Sequence, residues 1–161
     1  MFKLCPPMWE LFQRYRALDR EARETFRRAA VLLLILAISL RLRGYKKTQQ
    51  GLQKRVATCV STEQGKNGDE RVRKTRRMVN AAVHYGLLRA SCLEESLTLW
   101  YLLARQGIPS SLRIGVRKSG EQFEAHAWVE CSGVALNEAE QVHQHYAAFQ
   151  NEFAEPLAEQ R

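Results

Sequence analysis

The feature that most constrains this 161-residue chain is a helical pattern followed by three alternating segments, all within residues 91–137. Apolar residues first recur at helical spacing and define one face of a helix about four turns long: Leu93, Leu97, Trp100, Leu103 and Ala104. Gly107 stands where a helix end favours a left-handed residue, and Pro109 prevents continuation. The helix is therefore expected to end just before Gly107.

The alternating segments predict strands of an antiparallel sheet over residues 111–117, 122–130 and 134–137. Turn residues separate them, and Ser132-Gly133 forms the shorter turn. In the middle segment, one face is expected to pack on the core: Phe123, Ala125, Ala127 and Val129. The opposite face displays His126 beside Trp128. A helix followed by an antiparallel sheet predicts an α+β fold class.

The start of the helix carries a candidate nucleophile. Ser91 and Glu94 have the spacing of a capping box, which puts Cys92 at the first helical position. The positive end of the helix dipole there favours a thiolate over a thiol. A buried and inert cysteine is the competing interpretation, since free cysteines are commonly of that kind.

His126 strengthens the interpretation of Cys92 as a nucleophile, because cysteine activation needs a base that a third group holds in place. The next segment offers Asn137 and Glu138 as that third group. A two-residue loop at Ser132-Gly133 would put Asn137 on the histidine face, and a three-residue loop would put Glu138 there. The sequence leaves both registers open.

The stretch SCLEESLTLWYLLARQGIPSSLRIGVRK, followed by FEAHAWVECSGVALNE, resembles the leader peptidases of lasso peptide biosynthesis, a transglutaminase-like group. The resemblance covers residues 91–138 and implies a papain-like cysteine peptidase core. It implies that Cys92 is the nucleophile and His126 the general base and acid. Glu138 stands where the family usually has Asp, so it is the predicted third catalytic residue, with Asn137 as the alternative.

The same resemblance implies the reaction and the partners. The substrate would be the leader region of a precursor peptide, gripped by a separate leader-recognition protein, and a separate ATP-using lasso cyclase would close the released core. No cofactor is expected, and the chain has no GxxxxGK[ST] phosphate loop. Two alternatives stay open: an acyl transferase or amide cross-linking enzyme on the same fold, and a catalytically inactive peptide-binding module.

The first 60 residues predict a helical region that precedes the catalytic core. An amphipathic, arginine-rich pattern from Met8 runs into an apolar stretch at residues 31–40, and Gly44 ends the pattern. Packing on the core is the favoured interpretation, and contact with a membrane surface is the less favoured one. The chain is thus predicted to be one transglutaminase-like domain, 1–161, with its catalytic core at 71–153.

Charge divides the chain into two unlike parts. Residues 1–91 carry 20 Lys and Arg against 7 Asp and Glu, whereas residues 92–161 carry 5 against 10. The basic run at residues 71–77 predicts a solvated helix face or a docking surface for an acidic partner. Nucleic acid is not an expected partner, because no stacking aromatic residues are interleaved with this run.

The remaining sequence signals concern metals and location. The four cysteines contain no CxxC pair, which argues against a zinc knuckle or a thioredoxin-type site. His143 and His145 are expected on a helix over residues 138–153, where positions two apart face different directions, so no metal site is predicted. The apolar run at 29–40 is too short to span a membrane. These features together predict a chain of the reducing cytoplasm.

Overall fold

The structure, a computed structural model, describes residues 8–57, 68–86, 89–119, 122–137 and 147–148. Its helices are α1 (Met8–Ala17), α2 (Arg20–Ala57), α3 (Gly68–Tyr85) and α4 (Cys92–Ala104). Its strands are β1 (Ser111–Ser119), β2 (Gln122–Cys131), β3 (Val134–Ala135) and β4 (Ala147–Ala148). The α+β class predicted from the sequence is confirmed, with helices leading and an antiparallel sheet following.

The sheet has the strand order β3-β2-β1-β4, and each neighbouring pair is antiparallel. Cys131 pairs with Val134, so the loop between β2 and β3 has two residues. Both loop residues have positive φ, 50° at Ser132 and 78° at Gly133, which matches the twist of a tight hairpin. The first of the two registers considered from the sequence is the observed one.

Two sequence predictions about the strands are wrong in detail. β3 ends at Ala135 instead of residue 137, because the side chain of Asn137 replaces the main chain in the ladder. The helix predicted over residues 138–153 does not hold at Ala147–Ala148, which pair with Gly115 and Val116 of β1. Pairing with a strand more than thirty residues away overrides a local helical pattern there.

α2 is two helical limbs joined by a sharp bend at Gly44, where φ is 73° and ψ is 175°. The hydroxyls of Ser39 and Thr48 lie 2.8 Å apart across the bend, although nine residues of straight helix would span about 13 Å. The bend therefore folds the limb at 45–57 back toward the limb at 20–43. Gly44 ends the first limb as predicted, and a second helical limb follows it.

The main hydrophobic core is built around α4, which lies between the sheet and the helices α2 and α3. Both limbs of α2 contribute buried side chains to it, as do α3, α4, β1 and β2. The fully buried members include Leu36, Val79, Leu97, Leu99, Leu103, Leu112 and Val129. The N-terminal helical region is therefore part of the same core that supports the α4–sheet unit.

The end of α4 follows the sequence prediction closely. Gly107 has a φ of 70° and its amide donates to Ala104 O at 3.0 Å. The amide of Ile108 donates to Leu103 O at 3.0 Å, which completes a Schellman motif. Ile108 packs against the main core, so the helix end is anchored as well as capped.

The basic run at residues 71–77 forms part of an amphipathic helix, α3, which agrees with the interpretation of the run as a helix face. The buried face of α3 comprises Val72, Thr75, Met78, Val79 and Ala82. Lys74 makes ion pairs with Glu21 at 2.7 Å and Asp19 at 2.9 Å, which tie α3 to the start of α2. The hydrogen bond from the Ala22 amide, with Lys74 beside it, holds the pKa of Asp19 below its usual value. Hydrogen bonds to Glu21 and Asp19 raise the pKa of Lys74.

Candidate active site

Cys92 is the first residue of α4, at the end of the helix where main-chain amides point outward. The predicted capping box is present: Glu94 N donates to Ser91 Oγ at 3.3 Å, and Ser91 N donates to Glu94 Oε2 at 2.7 Å. This reciprocal pair fixes the helix start and therefore the position of Cys92. The Cys92 thiol is free and half-buried.

A chain of buried hydrogen bonds joins the first turns of α4 to the centre of β2. Ser96, which is fully buried one turn after Cys92, donates through Oγ to Ala127 O at 2.9 Å. Asn137 donates through Nδ2 to Ser96 Oγ at 2.9 Å and accepts from Val129 N at 2.9 Å. We name Ser96 and Asn137, with these three bonds, the helix–strand clamp. It holds the helix that begins with Cys92 against the strand that contains His126.

The hydrogen bonds of the helix–strand clamp indicate the structural role of Asn137. The observed register would have put Asn137 opposite Trp128 on the histidine face. The ladder ends one residue earlier: the amide of Leu136 still donates to Val129 O at 2.8 Å, and the side chain of Asn137 then accepts from Val129 N. Both ends of the Asn137 side-chain amide are used within the helix–strand clamp: Nδ2 donates to Ser96 Oγ, and Oδ1 accepts from Val129 N. Within the described residues, Asn137 makes no hydrogen bond to His126. The alternative assignment of Asn137 as the residue that orients the imidazole is therefore not supported.

His126 is half-buried on β2 and shares its face with Trp128 and Glu130. Its ring stacks on that of Trp128, with centroids 6.4 Å apart and planes 17° apart. Trp128 is itself held by a hydrogen bond from Nε1 to Glu130 Oε1 at 2.9 Å, and Glu130 binds Arg113 Nε at 3.0 Å. This series of contacts limits the orientations open to the imidazole.

The burial of β2 differs from the prediction of one apolar face and one exposed face. Ala127 and Val129 are buried as expected, but Phe123 is 75% exposed and Ala125 is also exposed. Trp128, on the histidine face, is 0% exposed and forms a separate buried pair with Ala135. Burial therefore changes along the strand as well as between its faces: residues 127–129 are buried, whereas residues 123–125 are exposed.

Gly115 is a feature of the site that sequence reasoning missed. It is the β1 residue paired directly with His126, so no β1 side chain stands directly opposite the imidazole. Each of the other residues in β1 (Ser111–Ser119) has a side chain, which would face the imidazole if that residue type stood at position 115. The signal available in the sequence was a lone glycine within an alternating strand, which often marks a position of close approach.

Several predicted residues lie outside the residues that the structure describes. Glu138, the predicted third catalytic residue, follows the last described residue of that segment, and His143 and His145 lie in the same gap. Among the described residues, no group of three or more His, Cys, Asp or Glu side chains could hold a metal ion. No described helix has the length and apolar character needed to cross a bilayer.

Comparison with known proteins agrees with this architecture. A family model described as the transglutaminase-like superfamily matches residues 32–151, about three quarters of the chain. The chain belongs to the transglutaminase-like superfamily. The match begins inside α2, before residue 71, where the catalytic core was predicted to start. Cys92, His126 and Glu138 all fall within it.

A second comparison concerns a shorter segment. Over 73 residues the chain is 32% identical to the microcin J25-processing protein McjB of Escherichia coli, and this segment covers 45% of the chain. The segment covers only 34% of McjB, so the chain is similar to about a third of that relative. No solved structure shows a significant match to the chain.

Proposed function

We propose that this transglutaminase-like protein is a cysteine peptidase that removes the leader from a lasso peptide precursor. The observation that carries the proposal is the start of α4: Cys92 begins a capped helix that hydrogen bonds hold against the His126 strand. The similarity to a microcin J25-processing protein supports a role in processing a peptide precursor. The resemblance of residues 91–138 to lasso leader peptidases supplies the substrate class.

The proposed reaction is acyl transfer through the Cys92 sulfur. The thiolate attacks the carbonyl carbon that joins leader to core, the C–N bond breaks, and His126 gives a proton to the departing amine of the core. The leader is then a thioester on Cys92. A water molecule, deprotonated by His126, hydrolyses the thioester and restores the thiol. The main-chain amide of Cys92 is a suitable donor to the oxyanion.

Glu138 is proposed as the residue that orients the imidazole. It occupies the position where the resemblance calls for Asp, and a carboxylate suits this role because it stabilises the imidazolium that forms during the reaction. The clamp bonds of Asn137 support the choice of Glu138 over Asn137. Trp128 and Glu130 would assist by fixing the plane of the ring.

The proposed partners follow from the same function. The precursor peptide would be presented by a separate leader-recognition protein, and the amine released on the core would be consumed by an ATP-using cyclase. We propose a cytoplasmic location, because the pathway requires ATP. No nucleic acid is part of the proposal.

The test combines the purified chain, a lasso-type precursor and its leader-recognition protein, followed by intact mass of the precursor. We expect wild type to split the precursor into leader and core by addition of one water, and Cys92→Ala to leave it intact. Cys131→Ala is the matched control, because Cys131 is the other free thiol among the described residues. Cleavage by Cys92→Ala would refute the proposal. An intact precursor that acquires a covalent amide link would favour the acyl transferase alternative.

A second measurement tests the pairing of Cys92 with His126 without any substrate. Iodoacetamide labelling followed by peptide mass mapping gives separate alkylation rates for Cys92 and Cys131. His126→Ala is expected to slow alkylation of Cys92, because the imidazole removes the thiol proton. Cys131, which contacts Pro109 O at 3.3 Å, is the internal control and is expected to keep its rate. An unchanged rate at Cys92 would contradict the pairing.

A further inference from the structure

An open groove of about 560 Å³ lies between α2 and the C-terminal end of α4, and the proposed reaction does not use it. Its apolar lining comes from Val31, Leu32 and Ile35 of α2 and from Tyr101 and Leu102 of α4. Cys92 is ten residues before Leu102, about 15 Å along the helix axis. The groove is therefore a separate site at the opposite end of α4.

The apolar side of the groove continues along α2 as an exposed stripe. Val31, Ile35, Ile38 and Leu42 are spaced by four, three and four residues, and their exposed fractions are 57%, 52%, 50% and 79%. This is the spacing that packs one helix against another in a coiled-coil manner. Exposed apolar side chains arranged in a continuous stripe are typical of an interaction site, whereas isolated ones are not.

The rim of the groove is strongly basic. Arg27 and Arg28 of α2, Arg55 of its second limb and Arg105 after α4 surround the apolar lining, with Glu24 as the acidic lining residue. Glu24 pairs with Arg28. In the part of the chain that the structure describes, the other three arginines form no ion pair. A ligand with carboxylates on either side of an apolar stripe would complement this arrangement.

We propose that this groove, together with the stripe, binds an acidic amphipathic helix of a partner protein. The concave shape favours an inserted helix over a flat bilayer surface, which would contact the stripe but not the lining from α4. A second copy of this chain would bring arginine-lined grooves against each other, and like charges disfavour that contact. Docking at this groove does not require the chemistry of Cys92. The docking proposal can therefore be tested independently of the peptidase assignment.

The experiment uses the full chain and a fluorescent 18-residue helical peptide with Leu at heptad spacing and Glu on both flanks. Binding is measured by fluorescence anisotropy at low ionic strength. The variant Arg55→Glu/Arg105→Glu is expected to weaken binding about tenfold or more, because two attractive contacts become repulsive. Ile35→Ser is expected to weaken it severalfold through lost apolar contact. A peptide with Lys in place of Glu is expected not to bind.

The matched control is Arg73→Glu/Arg77→Glu, which makes the same change in net charge on the exposed face of α3, outside the groove. It is expected to weaken peptide binding less than twofold. All variants change exposed side chains, and circular dichroism confirms that they stay folded. Equal weakening by the α3 variant would overturn the proposal and assign docking to residues 71–77.

Two further outcomes would also overturn it. Binding to phosphatidylglycerol vesicles that is lost in Arg55→Glu/Arg105→Glu, with no binding of the peptide, would assign the groove to a membrane surface. A dimer in sedimentation equilibrium that Ile35→Ser converts to a monomer would assign the stripe to self-association. Failure of the peptide to bind wild type at all would remove the docking site altogether.

Discussion

Asn137 bonds to both α4 and β2, so its removal is expected to act on stability. Asn137→Ala should lower the free energy of unfolding by about 1–3 kcal/mol, because the amide of Val129 loses its acceptor. Ser96→Ala should cost a similar amount, and the double variant should cost less than the sum, because both changes break the same Ser96–Asn137 bond. Urea unfolding of the three variants measures these values.

Glu138→Gln is the natural comparison for Asn137→Ala, because Asn137 and Glu138 are adjacent in the chain and have different proposed roles. It should leave the free energy of unfolding unchanged and lower kcat of precursor cleavage by about 10²–10⁴-fold, since the amide cannot stabilise the imidazolium. If Asn137→Ala instead lowered kcat by that factor with wild-type stability, Asn137 would be the third catalytic residue and the role given to the helix–strand clamp would be wrong.

Tyr45 is expected to make the free energy of unfolding depend on pH in the alkaline range. Burial against the main core raises its pKa from 10.0 to about 12. Between about pH 10 and about pH 12 the unfolded chain has lost this proton and the folded chain retains it, so stability falls as pH rises through that window. Tyr45→Phe should reduce this fall, measured by urea unfolding at both ends of the window. Tyr85→Phe, at an exposed site, is the control, and equal slopes in all three proteins would contradict the prediction.

Residues whose roles depend on near neighbours in the chain could be predicted from the sequence. The capping box needs only Ser91 and Glu94, three positions apart, and it placed Cys92 correctly at the start of α4. The role of Asn137 could not be predicted, because it depends on where β3 leaves the sheet and on a serine 41 positions earlier. The three catalytic assignments themselves remain predictions.

At the level of elements, the bend at Gly44 is the most specific backbone requirement in α2. Its φ of 73° with ψ of 175° is a conformation open essentially to glycine alone. Gly44→Ala should therefore lower the free energy of unfolding by about 1–3 kcal/mol, although a Cβ there would meet no atom within 4 Å.

Gly51 provides the matched substitution in the second limb of the same helix. It is exposed, has ordinary helical backbone and equally open surroundings, so Gly51→Ala should raise the free energy of unfolding by about 0.5–1 kcal/mol. Thermal and urea unfolding of both variants give the comparison. If Gly44→Ala and Gly51→Ala changed the free energy of unfolding in the same direction, the bend would not require the glycine conformation inferred for Gly44.

The elements that were predicted well are those whose ends carry local signals. Gly107 and Pro109 marked the end of α4, and Ser132-Gly133 marked the position of the β2–β3 turn, whereas its register was left open. β4 was missed because its residues form strand only through pairing with β1. The reversal of α2 was missed for a similar reason: a glycine shows where a helix stops, whereas the contacts that fold the next limb back come from distant side chains.

At the scale of the whole molecule, the halves of unlike charge share one interior. The basic half supplies α2 and α3, and the more acidic half supplies α4 and the sheet, yet Leu36 and Leu52 of α2 belong to the same core cluster as Leu112 and Val129. The two halves differ in charge because charged side chains lie mainly on the surface, whereas the interior that they share is apolar. The change in charge after residue 91 therefore does not correspond to a boundary in the described core.

This shared interior predicts that the chain unfolds as one cooperative unit. Full-length protein should show a single urea transition that coincides by tryptophan fluorescence and far-ultraviolet circular dichroism. A fragment that begins at Gly68 should show no cooperative transition, because it loses the α2 side chains that cover α3 and α4, among them Leu33, Leu36 and Val56. A fragment that begins at Arg20 retains them and is the control, expected to keep the transition. A cooperative transition in the shorter fragment would show that α3, α4 and the sheet form a domain without the N-terminal helices.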